Sequence, residues 1–172
     1  MGRQLVLACT VLPVVLLLAA CGGAAAPKPT HTHKTEAQSC NDLGAAVKDF
    51  YAIANPGSTV KRIDVTELPE PNGVRIPKPD CAFEMRPDPE LVPGDVWTIE
   101  NFYLDPQKGL DGAIDSRLVK AGYVLKPDTT NYSKFANHTA YSASILTFDG
   151  KDGQPYSKAA DERVLDFTIG QG

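Results

Sequence analysis

Hydrophobic positions change their spacing several times along the chain, and each change marks a different element. Residues 5–20, LVLACTVLPVVLLLAA, form an apolar run behind a single basic residue, Arg3, and close on small residues. A short basic start, a 16-residue apolar core and a small-residue end describe a secretory signal rather than a spanning helix. No later stretch approaches 18 consecutive apolar residues, so the remainder predicts no transmembrane helix. Residues 22–38, GGAAAPKPTHTHKTEAQ, then contain no apolar side chain larger than alanine. Such a stretch cannot offset the entropy of ordering and reads as a disordered spacer, with a reach of about 20–50 Å.

From Ser39 the pattern becomes helical. Leu43, Ala46, Val47, Phe50 and Ile53 or Ala54 recur at spacings of three and four, with Ser39 or Asn41 as cap and Asn55-Pro56-Gly57 as stop. Val60–Glu67 alternates as a strand. Seven prolines between Pro69 and Pro93 restrict that stretch to stiff loops, with short strands at most around Val74-Arg75-Ile76 and Cys81–Met85. Asp95–Leu104 alternates with apolar residues on both faces, which predicts a central strand. Leu110–Ala121 reads as a short helix ended by Gly122, with a brief strand over Tyr123–Lys126. Tyr141–Phe148 and Arg163–Ile169 alternate as an antiparallel hairpin, with Leu165, Phe167 and Ile169 inward and Asp166 and Thr168 outward. Two helical patterns among five or more strands predict a small α+β domain, a mainly antiparallel sheet with two helices packed against it.

The residues around Cys21 narrow the fate of the N-terminus. Leu18-Ala19-Ala20-Cys21, after the apolar run and before Gly22-Gly23, resembles the lipobox of bacterial lipoproteins. The resemblance covers about the first 23 residues and implies cleavage before Cys21 and acylation of its thiol. Several acyl chains at one site give stable anchoring to membrane lipid. The expected organisation is a signal peptide at 1–20, a lipidated cysteine and spacer at 21–38, and an extracytoplasmic domain at 39–172. The implied location is the bacterial cell envelope, on the outer side of a membrane. Gly22 is not acidic, which leaves inner and outer membranes both open.

Composition changes meaning once the signal is set aside. Removing residues 1–20 takes away Arg3 and leaves 16 basic against 21 acidic groups, a formal charge of −5. That balance argues against nucleic-acid binding, which needs a basic patch. It also supplies no polybasic attraction to anionic lipid, so attachment rests on Cys21. Of the four cysteines, Cys9 falls in the signal and Cys21 carries the anchor. Cys40 and Cys81 remain, and an even pair in an exported chain predicts a disulfide.

Candidate chemistry is sparse. No nucleophile elbow, phosphate-binding loop, zinc-protease motif or dinucleotide glycine pattern is present. His31 and His33 with Glu36 offer a weak metal cluster, for which a plain spacer is the better reading, and no metal or cofactor is predicted. His138 could join Ser133, Ser142 or Ser144, but no spacing selects one of them. Asp149 and Asp152 lack the pattern of a calcium loop and read as a glycine-rich turn. Asn137-His138-Thr139 matches a glycosylation pattern that carries little weight in a bacterial host. Glu84 with Glu100 or Asp95 could serve glycoside chemistry if a fold brought them together. Tyr132, Phe135 and Tyr156, lying in polar surroundings, are the expected exposed contact residues. The leading expectation is therefore a non-enzymatic envelope lipoprotein binding a protein, a cell-wall component or a small ligand. An envelope hydrolase and a structural or assembly role are the alternatives.

Overall fold

Thr35 opens the first helix with a capping box: its side chain accepts from the Gln38 amide at 3.3 Å, and Gln38 Oε1 accepts from the Thr35 amide at 2.9 Å. The structure, a computed structural model, describes residues 34–68, 70, 73–149 and 154–172. These fall within one compact unit, His33–Gly172. Helix α1 spans Glu36–Ala54, so it begins three residues before the expected start. Lys34, also expected in the spacer, pairs with Asp42 at 2.8 Å.

Seven strands follow in one antiparallel sheet: β1 (Thr59–Ile63), β2 (Cys81–Arg86), β3 (Trp97–Leu104), β4 (Val124–Leu125), β5 (Asn131–Ala136), β6 (Thr139–Phe148) and β7 (Val164–Gln171). Their spatial order is β1-β2-β3-β7-β6-β5-β4. Helices α2 (Leu110–Lys120) and α3 (Pro155–Ala160) complete an α+β fold. The last strand thus lies in the middle of the sheet, between β3 and β6.

Both faces of the sheet are covered. On one face α1 and α3 close a core around Leu43, Val47, Phe83, Phe102, Tyr156 and Val164. On the other, α2 contributes Ile114 and Leu118 to a core with Ile99, Tyr103, Leu165 and Phe167. The proline-rich connection before β2 packs Val74 and Ile76 against this second face. Tyr103 holds it by donating to the Pro77 carbonyl at 2.8 Å, and Arg117 of α2 donates to the Arg75 carbonyl. That connection forms a cover, and Val74-Arg75-Ile76 is not a strand.

Several expected boundaries move for identifiable reasons. β1 stops at Ile63 because the Asp64 carboxylate accepts from both the amide and the hydroxyl of Thr66, closing a side-chain turn. The two strands expected to form one hairpin are paired in register, Ala143 opposite Ile169, but α3 lies in their connection. β6 pairs on its other edge with β5, across a turn whose two residues, Asn137 and His138, have φ of 52° and 63°. Two successive left-handed residues suit the tight turn that joins twisted strands.

The buried stripe of α1 is rotated from the expected one. Cys40, Leu43, Gly44, Val47 and Tyr51 face the sheet, while Phe50 is 52% and Ile53 84% exposed. Cys40 forms a disulfide with Cys81 of β2, with Cα atoms 5.9 Å apart. Gly44 permits the approach: a Cβ there would meet the Phe83 ring at 2.6 Å. Closing a loop across a separation of 41 residues contributes about 4 kcal/mol by loop-closure entropy, as an upper figure. Replacing both cysteines, Cys40→Ala with Cys81→Ala, is expected to cost about 2–4 kcal/mol of unfolding free energy. Urea midpoints of the two proteins at one pH measure it; coincident midpoints would mean that the native packing alone holds α1 in place.

Candidate functional site

Strand register sets the floor of a cavity on the face beneath α1 and α3. Glu100 lies opposite Thr168, and Asp166 lies between Phe102 of β3 and Leu146 of β6. Paired residues point to one side of a sheet, so Glu100 and Asp166 are diagonal neighbours on the same face. The cavity measures about 390 Å³. Its floor is Glu100, Asp166 and Thr168, and Leu146, Phe148 and Tyr156 form walls. Phe50 and Tyr51 enter from α1 and Gln154 and Pro155 from the start of α3. None of these ten residues is basic.

Two carboxyl groups are therefore buried side by side, Glu100 at 5% and Asp166 at 3% exposure. Tyr51 Oη donates to Glu100 Oε1 at 2.8 Å. The Tyr156 hydroxyl approaches the same carboxyl. It closes no well-formed bond to Oε2, which has no hydrogen-bond partner. Among the described residues Asp166 accepts long contacts from the Thr168 hydroxyl, at 3.4 and 3.5 Å. Aromatic edges hold Tyr156 in position: its ring lies 5.0 Å from Phe102 and 5.6 Å from Phe148, both near-perpendicular.

This environment changes the acidity of every member. Burial raises Glu100 above its usual value, opposed by the hydrogen bond from Tyr51 and by the nearby Tyr156 hydroxyl. Asp166 is raised further, by burial first and by the neighbouring Glu100 charge second. Burial and the same acidic neighbours push both tyrosines upward, so they remain neutral donors. Two carboxyls so placed titrate as a pair, and the first proton to bind is shared by the site.

The residues singled out by sequence fare differently. Phe135 is 74% exposed, as expected. Tyr132 and Tyr156 are instead buried, at 6% and 9%. Polar neighbours in sequence misled here, because Tyr132 alternates inward on β5 and donates to Asp115 at 2.7 Å, whereas Tyr156 sits on the inner side of α3. Tyr156 nevertheless lines the cavity. His138 is an exposed turn residue; Ser142 and Ser144 lie roughly 13 and 20 Å along the strand from it by the usual rise. Ser133, opposite Ser142, is likewise remote. The carboxylate pairing also differs from the expected one. Glu84 and Asp95 are linked through Arg86, at 2.7 and 2.8 Å. Glu84 lies opposite Ile99, which places it on the sheet face away from Glu100. The partner of Glu100 is Asp166, which alternation alone had placed outward.

Cys21, His31, His33 and Asp152 lie outside the described residues. Glu36 sits in the first turn of α1. Among the described residues no group of three or more metal-ligating side chains is found. No family model matches this chain, and no curated protein or solved structure is significantly similar to it.

A buried pair with raised acidity makes stability depend on pH in a defined direction. Both groups bind their protons more tightly folded than unfolded. The resulting stability is fully present below the ordinary values of 3.8 and 4.5, and is lost as pH rises through the raised folded values. Asp166→Asn is therefore expected to gain stability on the parent protein as pH rises from about 4 to about 8. Urea unfolding across that range measures the difference, and a difference independent of pH would contradict the pairing.

Proposed function

We propose that this chain is a membrane-anchored envelope lipoprotein whose folded domain is a non-enzymatic binding module for a small ligand. The observation that carries the ligand reading is the cavity beneath α1 and α3. At about 390 Å³ it falls within the size of ligand pockets, about 300–1,000 Å³. It also has their usual make-up, apolar walls with a few convergent polar groups at the base. A whole protein partner would need a broader contact than this recess offers. The anchor is supported by the lipobox-like Leu18-Ala19-Ala20-Cys21 at the end of the apolar run.

The same carboxyl pair supports a second reading, a hydrolase of a wall or surface polymer, since one protonated and one ionised carboxyl is an acid–base arrangement. A polymer chain requires an open groove past both groups. Here Tyr51 and Tyr156 stand over Glu100 from two helices, and the binding role fits the geometry better.

Two measurements test the proposal. Intact mass of protein extracted from membranes is expected to show loss of residues 1–20 and an acyl addition on Cys21; an unacylated mature chain refutes the anchor. For the cavity, fluorophenylalanine-labelled protein is screened against small apolar fragments by fluorine NMR. Binders are expected to shift Phe50 and Phe148 while leaving exposed Phe135 unmoved. If only Phe135 responds, or none of the three, the pocket reading is wrong.

A further inference from the structure

The cavity carries more information than its size. Its floor holds two carboxyl groups and no basic side chain, so it repels an anion. Glu100 Oε2 is buried, belongs to a lining residue and lacks any partner, an acceptor left over once Tyr51 has satisfied Oε1. A buried acceptor without a donor destabilises the empty site, and a ligand group that donates to it recovers that loss. A metal ion is a poor fit, because the site offers two carboxyls without a third ligand and is walled by Phe50, Leu146 and Phe148.

Resting on the binding-pocket reading, we propose that the site takes a small organic cation, an amine with an apolar body, whose ammonium group lies between Glu100 and Asp166. An ammonium group has three donors, enough for Glu100 Oε2 and both oxygens of Asp166. It also brings the positive charge that the site lacks, in surroundings of low dielectric where such pairing is strong. A neutral alcohol supplies one donor and leaves the charge unmatched. The apolar body packs against Phe148, Leu146 and Phe50, of which Phe50 and Leu146 are partly open to solvent at the rim.

The proposal also has a pH signature. The titratable groups facing the site are Tyr51 from α1, Tyr156 from α3, Glu100 from β3 and Asp166 from β7; β6 adds only Leu146 and Phe148. The tyrosines stay neutral, so only the carboxyl pair titrates. Seating the ammonium group expels the shared proton to solvent, and affinity for the amine rises with pH as the pair ionises.

The test uses the full chain in lipid nanodiscs, with empty nanodiscs as the blank, and three probes of one shape: phenylbutylamine, phenylbutanol and phenylbutanoate. Calorimetry gives the affinities, and fluorine NMR at Phe50 and Phe148 reports the location. The amine is expected to bind at least about tenfold tighter than the alcohol, with the carboxylate weakest. That preference should grow with pH, weaken in each of Asp166→Asn and Glu100→Gln, and shrink to near parity in the double variant. Phe50→Ala, at an exposed position that tolerates change, should weaken amine and alcohol together. If Glu100→Gln does not fold, the ranking of the three probes on the parent protein still decides. Equal binding of amine and alcohol, or tighter binding of the carboxylate, overturns the cation proposal while leaving the pocket intact. Failure of all three to shift Phe50 and Phe148 overturns both.

Discussion

The pairing of β3 with β7 is the constraint on which the rest of the structure depends. Eight residue pairs, from Trp97 with Gln171 to Leu104 with Val164, join strands that each have a neighbour on both sides. Strands in that position must be covered on both faces. The α1–α3 layer meets one face, and α2 with the proline-rich connection meets the other. Glu100, Asn101 and Asp166 are thereby drawn inside, whatever the local alternation suggests. Asn101 finds a partner in the Phe167 carbonyl at 2.9 Å. Its Oδ1 and Glu100 Oε2 are left without one, Asp166 has long contacts from Thr168, and the cavity lies above the two acids.

Two buried acids are a costly arrangement for a small domain. Desolvation disfavours their charge, and apolar replacements of similar volume are often neutral or stabilising at such positions. Strain of this kind is typically retained where a site needs it. Four buried side-chain oxygens are unpartnered among the described residues, and of these Glu100 Oε2 belongs to a residue lining the cavity.

Much of the framework was legible from periodicity. The apolar residues of Asp95–Leu104 already implied a central strand, Gly122 marked the end of α2 with a φ of 85°, and Cys40 and Cys81 had no other partner in the folded domain. The start of α1 was also written in the chain, since Thr35-Glu36-Ala37-Gln38 is a capping box; its position inside a polar, alanine-rich tract concealed it. The site was harder. Asp166 looked solvent-facing because its strand alternates, and alternation cannot tell a wet face from one covered by helices distant in sequence. β5 carries mixed polar residues and Asn137-His138 in place of a glycine turn, so its hairpin gave little signal. The carboxyl pair joins residues 100 and 166, and only strand register could bring them together.

The disulfide has a mechanical consequence. Cys40 lies within the second turn of α1, and its sulfur is bonded to the first residue of β2. A pull on the chain ahead of Thr35 travels through only a few helical residues before it enters the sheet through a covalent link. Beyond that link α1 is shielded from the load, and the hydrogen bond from Tyr51 to Glu100 sits on the shielded side. Tension arriving from the N-terminal end thus enters the sheet through the disulfide and bypasses the stretch of α1 that carries Phe50 and Tyr51 over the cavity.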